Sequence, residues 1–206
     1  MIVTAFCGGP LAENCYIAKD ETTGQCVLVD PGFSSPALDK AVGEADVRYI
    51  LLTHSHFDHA GAAEHYRAVT GAQLVCAHAE AALLRDPALN LSAWFDSSAP
   101  LALEADRLVG EGDTIILGET TLKVMETPGH TAGGCCYYTP GCLFAGDTLM
   151  AGSMGRTDFP TGNNRQMMQS LLRLKALPED TWLYSGHGGE STIGEERRTN
   201  LYLRSL

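Results

Sequence analysis

Residues 53–61 read THSHFDHAG, three histidines and an aspartate within six positions, directly behind the apolar run Tyr49-Ile50-Leu51-Leu52. The chain has only seven histidines in 206 residues. At its own His and Asp frequencies, HxHxDH arises by chance in about one such sequence in two thousand. Neutral imidazole and carboxylate are ligands for first-row metals, and two histidines spaced HxH at a strand end can converge on one ion. Asp58 and His59 are adjacent, so their side chains leave the turn differently and suit a second ion beside the first. Four donors cannot complete two sites, so others must come from elsewhere in the chain.

Three later stretches offer them, each just past a predicted strand and flanked by glycine: TPGHTAGG (127–134) with His130, AGDTL (145–149) with Asp147, and SGHGG (185–189) with His187. Glycine beside a ligand lets the backbone turn sharply and approach an ion closely. Each stretch alone reads as an ordinary loop, Asp147 as an Asx turn. As an ordered series behind the first cluster they point to one metal centre. His65, on the helix after the cluster, and His78, after a strand, are read as non-ligands.

The surrounding pattern supplies the scaffold. Strands are predicted at 2–6, 14–18, 26–29, 47–53 and 73–77, with helices at 36–44, 60–70 (ended by Gly71) and 80–85. Asp30-Pro31-Gly32 closes the third strand as a turn, and Pro36 starts the first helix. Residues 87–107 show no clear period beyond a turn or two of helix. Strands follow at 114–117, 121–126, 134–139, 142–145 and 182–184, with helices at 163–176 and 193–203. Met167, Leu171, Leu174 and Leu177 mark the amphipathic face of the longer one. Strand-rich stretches bracketed by helices, twice over, predict an α/β protein of the α+β type: two mixed sheets face to face with helices outside, in one domain over residues 1–206. The seam between the halves is the expected place for a site. Tyr137 and Tyr138 are read as hairpin packing.

Bulk properties narrow the partners. A formal charge of −11 without a basic stripe counts against nucleic acid. No signal peptide and no apolar run of membrane-spanning length is visible, and seven cysteines without a CxxC pair read as reduced, mostly buried thiols. The expected setting is the cytoplasm.

The order THxHxDH, PGHT, GD, GH resembles the metallo-β-lactamase superfamily, whose fold is an αββα sandwich; the resemblance runs from Thr53 to His187. Within it, GRTDFP (155–160) and STIGEERRTN (191–200) resemble short bacterial glyoxalase II-like thioesterases. The resemblance implies two divalent ions, with zinc preferred and iron or manganese acceptable to the same donors. It assigns His54, His56 and His130 to the first ion, Asp58, His59 and His187 to the second, and Asp147 as the bridge. An aspartate bridge sets the chain apart from the commonest zinc β-lactamases. The implied reaction is attack on a thioester by hydroxide held between the ions, with Asp58 also able to take the water's proton. A thiolate leaving group, with a pKa of ~8.5, needs no separate acid. The expected substrate is an S-acylglutathione such as S-lactoylglutathione. Arg156 and Asp158 are read as a loop ion pair at the pocket rim or as substrate contacts. After His187 only Arg197, Arg198 and Arg204 could grip glutathione carboxylates, so a weak grip is expected. The competing reading is a persulfide dioxygenase with one iron on His54, His130 and Asp147. Such enzymes share the GRTDF-like loop but usually differ around Gly186-His187-Gly188. A lactonase, a nuclease or a non-catalytic metal-binding module ranks behind.

Overall fold

Alternating side chains along the strands divide the interior into three apolar layers, in a computed structural model that describes residues 1–95 and 100–206. The first sheet comprises β1 (Ile2–Gly8), β2 (Glu13–Lys19), β3 (Gln25–Val29), β4 (Asp46–Leu51), β5 (Gln73–Ala77) and β6 (Arg107–Val109), in that spatial order. Its first two pairings are antiparallel and the other three parallel. The second sheet comprises β7 (Thr114–Leu117), β8 (Thr120–Glu126), β9 (Cys135–Thr139), β10 (Cys142–Gly146), β11 (Trp182–Ser185) and β12 (Ser191–Thr192), ordered β12-β11-β10-β9-β8-β7. Only β10 and β11 run parallel there.

Val27 and Val29 meet Leu122, Val124 and Phe144 of the opposite sheet, while the alternate residues Cys26 and Leu28 pack under Leu38, Val42 and Tyr66. Those last three belong to α1 (Pro36–Gly43) and α3 (Ala63–Thr70). Burial on both faces is why β3 and β4 read as continuous apolar runs rather than alternating ones. Outside the second sheet, Met167, Leu171 and Leu174 of α6 (Asn164–Lys175) pack on Leu143, Ala145 and Leu183. Asn163 caps α6, its side chain accepting from Gln166 N at 3.1 Å. Helix, sheet, sheet and helix therefore stack as expected.

Local differences have local causes. The helix expected at 60–70 is two pieces, α2 (Phe57–Ala60) and α3. The break occurs because Ala62 N–H bonds to Pro31 O at 2.8 Å instead of continuing the helical ladder. Here α2 presses against Gly32, where a Cβ would lie 1.6 Å from the Asp58 carbonyl oxygen. The final helix also divides, into α7 (Ile193–Thr199) and α8 (Leu201–Arg204), at Asn200, whose side chain caps the second piece. Between β5 and β6 lie α4 (Ala81–Arg85) and the short α5 (Ser92–Phe95). The stretch 87–107 thus contains the expected turn of helix and also starts β6, which is too short to show a period; residues 96–99 of it lie outside the described residues. No helix among the described residues is long and apolar enough to cross a membrane. All seven cysteines are free, six of them buried.

Candidate metal centre

Four strand ends deliver the seven donors to one edge of the sandwich. Beyond β4 the chain carries His54 and His56 into α2, which holds Asp58 and His59. His130 follows β8, Asp147 follows β10 and His187 follows β11. The loops are tied across the seam: Cys135 N donates to Thr53 O (2.9 Å) and Asn14 N to Gly186 O (2.7 Å). Tyr137 OH reaches Leu52 O at 2.9 Å and Tyr16 OH reaches Ser185 O at 2.6 Å. Tyr137 is therefore an interior residue.

Three overlapping groups of donors have ligand atoms within 4.8 Å of one another: His54, His56 and His130; His54, His59 and Asp147; Asp58, His59 and His187. His56 Nδ1 lies 3.1 Å from His54 Nε2 and 2.9 Å from His130 Nε2. Asp147 reaches both halves, with Oδ2 at 3.5 Å from His130 Nε2 and Oδ1 at 3.4 Å from His59 Nε2. Asp58 Oδ2 stands 3.2 Å from His187 Nε2 and 3.6 Å from His59 Nε2. His59 Nε2 and Asp147 Oδ1 are buried without a hydrogen-bond partner, and buried polar atoms left so are costly unless something else satisfies them. Gly186 leaves the space between them open, since a Cβ there would fall 2.2 Å from Asp147 Oδ1 and 2.4 Å from His59 Cε1. Convergent neutral and anionic donors around an open cradle fit divalent cations.

Charge agrees with this. Burial, with His59 and His56 beside it, holds the His54 imidazole well below its ordinary value. Burial and His130 push His56 down to about 3. Burial works against a charged His59 as well, but Asp58, Asp147 and Asp30 outweigh it and hold that ring well above its usual value. Burial opposes ionisation of Asp147 too, yet the histidines around it keep the carboxyl low.

The groups that aim these rings were not singled out from the sequence. Asp30, which looked like a turn residue, accepts from Thr53 N (2.7 Å), Thr53 Oγ1 (2.6 Å) and His59 Nδ1 (3.0 Å). His59 is thereby left with Nε2 facing the centre. The backbone φ of Asp30, 49°, is left-handed, unusual for a residue other than glycine. Glu80, fully buried, accepts from Ser55 N (2.8 Å), Ser55 Oγ and Gly133 N (2.9 Å), pinning the loops of His54, His56 and His130 together. His130 Nδ1 donates to Arg156 O at 2.7 Å, turning Nε2 inward. Asp30→Ala would strand three buried donors; a destabilisation of about 3 kcal/mol is expected, read as a lower urea midpoint at unchanged slope. A midpoint equal to the parent's would refute the role given to Asp30.

The donors floor a pocket of about 460 Å³ walled by Leu11, Phe57, Trp94, Phe95, Met150 and Phe159. Arg156 also lines it, but its guanidinium is engaged by Asp158 through two bonds, Nε–Oδ1 at 2.6 Å and Nη2–Oδ2 at 2.7 Å, and lies 4.0 Å above the Phe159 ring. Trp94 and Leu11 join this wall without any local pattern in the sequence to mark them. His65 sits on an exposed face beside Asp39, and His78 is exposed. Arg197 binds Lys175 O and Leu177 O, and Arg198 binds Glu195, so both are employed within the C-terminal helices.

The family model described as the metallo-beta-lactamase superfamily matches residues 8–187. The chain belongs to that superfamily. An uncharacterized protein of Aquifex aeolicus (strain VF5) is 36% identical over 209 residues, 100% of this chain and 99% of its own length. Hydroxyacylglutathione hydrolase GloC of Haemophilus influenzae is 32% identical over 210 residues, 98% of this chain and 96% of its own. Among solved structures, BLEG-1 B3 metallo-beta-lactamase superposes with a TM-score of 0.91 at 33% identity, covering 98% of this chain and 99% of that one. TTHA1623 in a di-iron-bound form gives 0.84 at 31%, covering 97% and 100%. ETHE1 from Myxococcus xanthus gives 0.77 at 30%, covering 98% and 84%. This metallo-β-lactamase fold thus carries its His/Asp cluster at the seam between the sheets.

Proposed function

We propose that the chain is a binuclear metal-dependent thioesterase of the glyoxalase II type, acting on S-acyl thioesters with S-lactoylglutathione among them. The observation that carries this reading is the second donor set: Asp58, His59 and His187 gather beside His54, His56 and His130, with Asp147 reaching both. The similarity to GloC supports the reaction class. In this reading His54, His56 and His130 hold one cation, Asp58, His59 and His187 the other, and Asp147 both. Zinc is preferred, with iron or manganese compatible with the same donors.

Divalent cations, when bound, lower the pKa of water and draw electron density from a carbonyl oxygen. The protein's own part is orientation. Asp30 and the Arg156 carbonyl accept the Nδ1 protons of His59 and His130 and so aim each Nε2 at its cation, which on His59 would take the place of the proton that Asp58 and Asp147 favour there. Asp58, besides its place as a donor in the second set, supplies a carboxylate that could take a proton from the attacking water. The apolar wall excludes bulk water from the thioester. Residues 1–206 are read as one domain because both sheets share one interior, and the free thiols support a reducing, cytoplasmic setting.

Elemental analysis should find about two metal ions per chain. One iron with no second site filling, together with oxygen uptake on glutathione persulfide, would replace this reading by that of a persulfide dioxygenase with its iron on His54, His130 and Asp147. Nitrocefin belongs in the same assay because of the likeness to BLEG-1.

Discrimination between thiol arms should be weak. Arg156 is the one Lys or Arg in the pocket wall, and it is engaged by Asp158. Two carboxylate contacts of ordinary strength would contribute ~3 kcal/mol, roughly a hundredfold. The lactoyl group on glutathione and on N-acetylcysteamine should therefore differ by less than a hundredfold in kcat/KM. A larger ratio would reveal a glutathione grip absent from this wall.

A further inference from the structure

The wall beside the donors is apolar to a degree that a polar lactoyl-glutathione substrate does not require. Phe159 lies edge-on to His56, with ring centroids 5.8 Å apart, and to His130 at 6.4 Å. Its ring also meets Trp94 edge-on at 6.3 Å. Phe57 stacks on Phe95 at 4.7 Å. An aromatic tract therefore starts at the first donor triad and runs outward to α5. Its outer members are open to solvent: Trp94 is 64% exposed and Phe95 56%, with Leu11 of the same pocket at 48%. Apolar surface left open in a concave site continuous with reacting groups is surface that a ligand covers.

Charge selects the ligand further. Apart from the donors, Arg156 is the one ionised side chain in this wall among the described residues, and two of its bonds go to Asp158 while its flat face covers Phe159. Asp158 takes the Nε–Nη2 edge of that guanidinium and offsets its charge, so a substrate carboxylate would meet only Nη1 of a pair that is already neutral. An uncharged arm needs no such partner.

We infer that this tract is a subsite for an uncharged aromatic or branched aliphatic arm of the thioester, with Trp94 and Phe159 as its specificity-determining residues. The inference rests on the thioesterase reading for its substrate class, but not for the existence of the subsite. An apolar arm on either side of the scissile bond satisfies the same wall, and the test separates the two. Hydrolysis splits the C–S bond by addition of one water, releasing carboxylic acid and thiol, so no further reactant is needed.

The experiment compares kcat/KM of the metal-loaded protein for three thioesters: S-lactoyl-N-acetylcysteamine, S-phenylacetyl-N-acetylcysteamine and S-lactoyl benzyl mercaptan. At least one phenyl-bearing substrate should exceed the first by tenfold or more, and which one identifies the side of the bond that faces the tract. In Trp94→Ala and Phe159→Ala that ratio should collapse to threefold or less. Direct binding supplies a readout independent of turnover. In a Trp182→Phe background, which leaves Trp94 as the single tryptophan, phenylacetamide should shift the emission saturably and lactamide should not. If no thioester is hydrolysed but phenylacetamide still binds, the thioesterase reading fails and the apolar subsite stands. If thioesters are hydrolysed with less than threefold preference and neither amide shifts the emission, the subsite is refuted and the thioesterase reading stands.

Discussion

Asp58→Ala is expected to lose at least a hundredfold in kcat while remaining folded. Asp58 is a buried carboxylate whose oxygen faces His187 and His59. Truncation removes a donor from the second set and the proton acceptor beside it, yet the backbone contacts that seat α2 on Gly32 are untouched. A hundredfold corresponds to ~2.7 kcal/mol of transition-state stabilisation, within the usual range for removing one element of a hydrolytic centre. Metal content should fall toward one ion per chain, and the thermal midpoint should move by only a few degrees. A dioxygenase using His54, His130 and Asp147 would keep its iron in this variant. Thioesterase turnover within threefold of the parent would remove Asp58 from the mechanism.

Gly186→Ala tests the same centre by steric means. The added Cβ would lie within van der Waals radii of Asp147 Oδ1 and His59 Cε1. Neither can retreat easily: the His59 ring is held by Asp30 at 3.0 Å, and Asp147 is the donor common to both halves. The backbone cannot swing away either, because Gly186 N–H bonds to Gly146 O at 2.9 Å and its carbonyl accepts from Asn14 N. The expected result is loss of more than half of the bound metal and at least a hundredfold in kcat/KM. Gly189→Ala, three residues along, meets nothing within 4 Å and has no left-handed φ to strain, so it should match the parent within twofold. Full metal content in Gly186→Ala would mean that cations do not sit between His59 and Asp147.

The candidate donors were legible in the sequence because each is a chemically distinctive residue past the end of a strand, four of them clustered within six positions and the other three flanked by glycine. The layers were legible for a related reason, as runs buried on both faces stay apolar throughout. Asp30 and Glu80 were not legible. Their partners lie 23, 25 and 53 residues away, and no local spacing records a hydrogen bond closed by the fold. The break between α2 and α3 was hidden likewise, since a single Gly61 inside an apolar-periodic stretch does not by itself end a helix, and the contact with Pro31 and Gly32 that interrupts it is made by the fold. The apolar wall is not legible because Leu11, Trp94 and Phe159 come from two loops and α5, far apart in the chain.

The bonds across the seam bear on the order of events during synthesis. Asn14 and Tyr16 anchor the Ser185 carbonyl, 171 and 169 positions later in the chain. Until that end of the chain has left the ribosome, a cation can meet only the donors of residues 53–61 and the later arrivals His130 and Asp147, on loops still lacking part of their scaffolding. Contacts of such long sequence separation form late in folding. The complete set of donors is therefore a product of the two sheets docking, and any metal loading that needs all seven of them follows that docking.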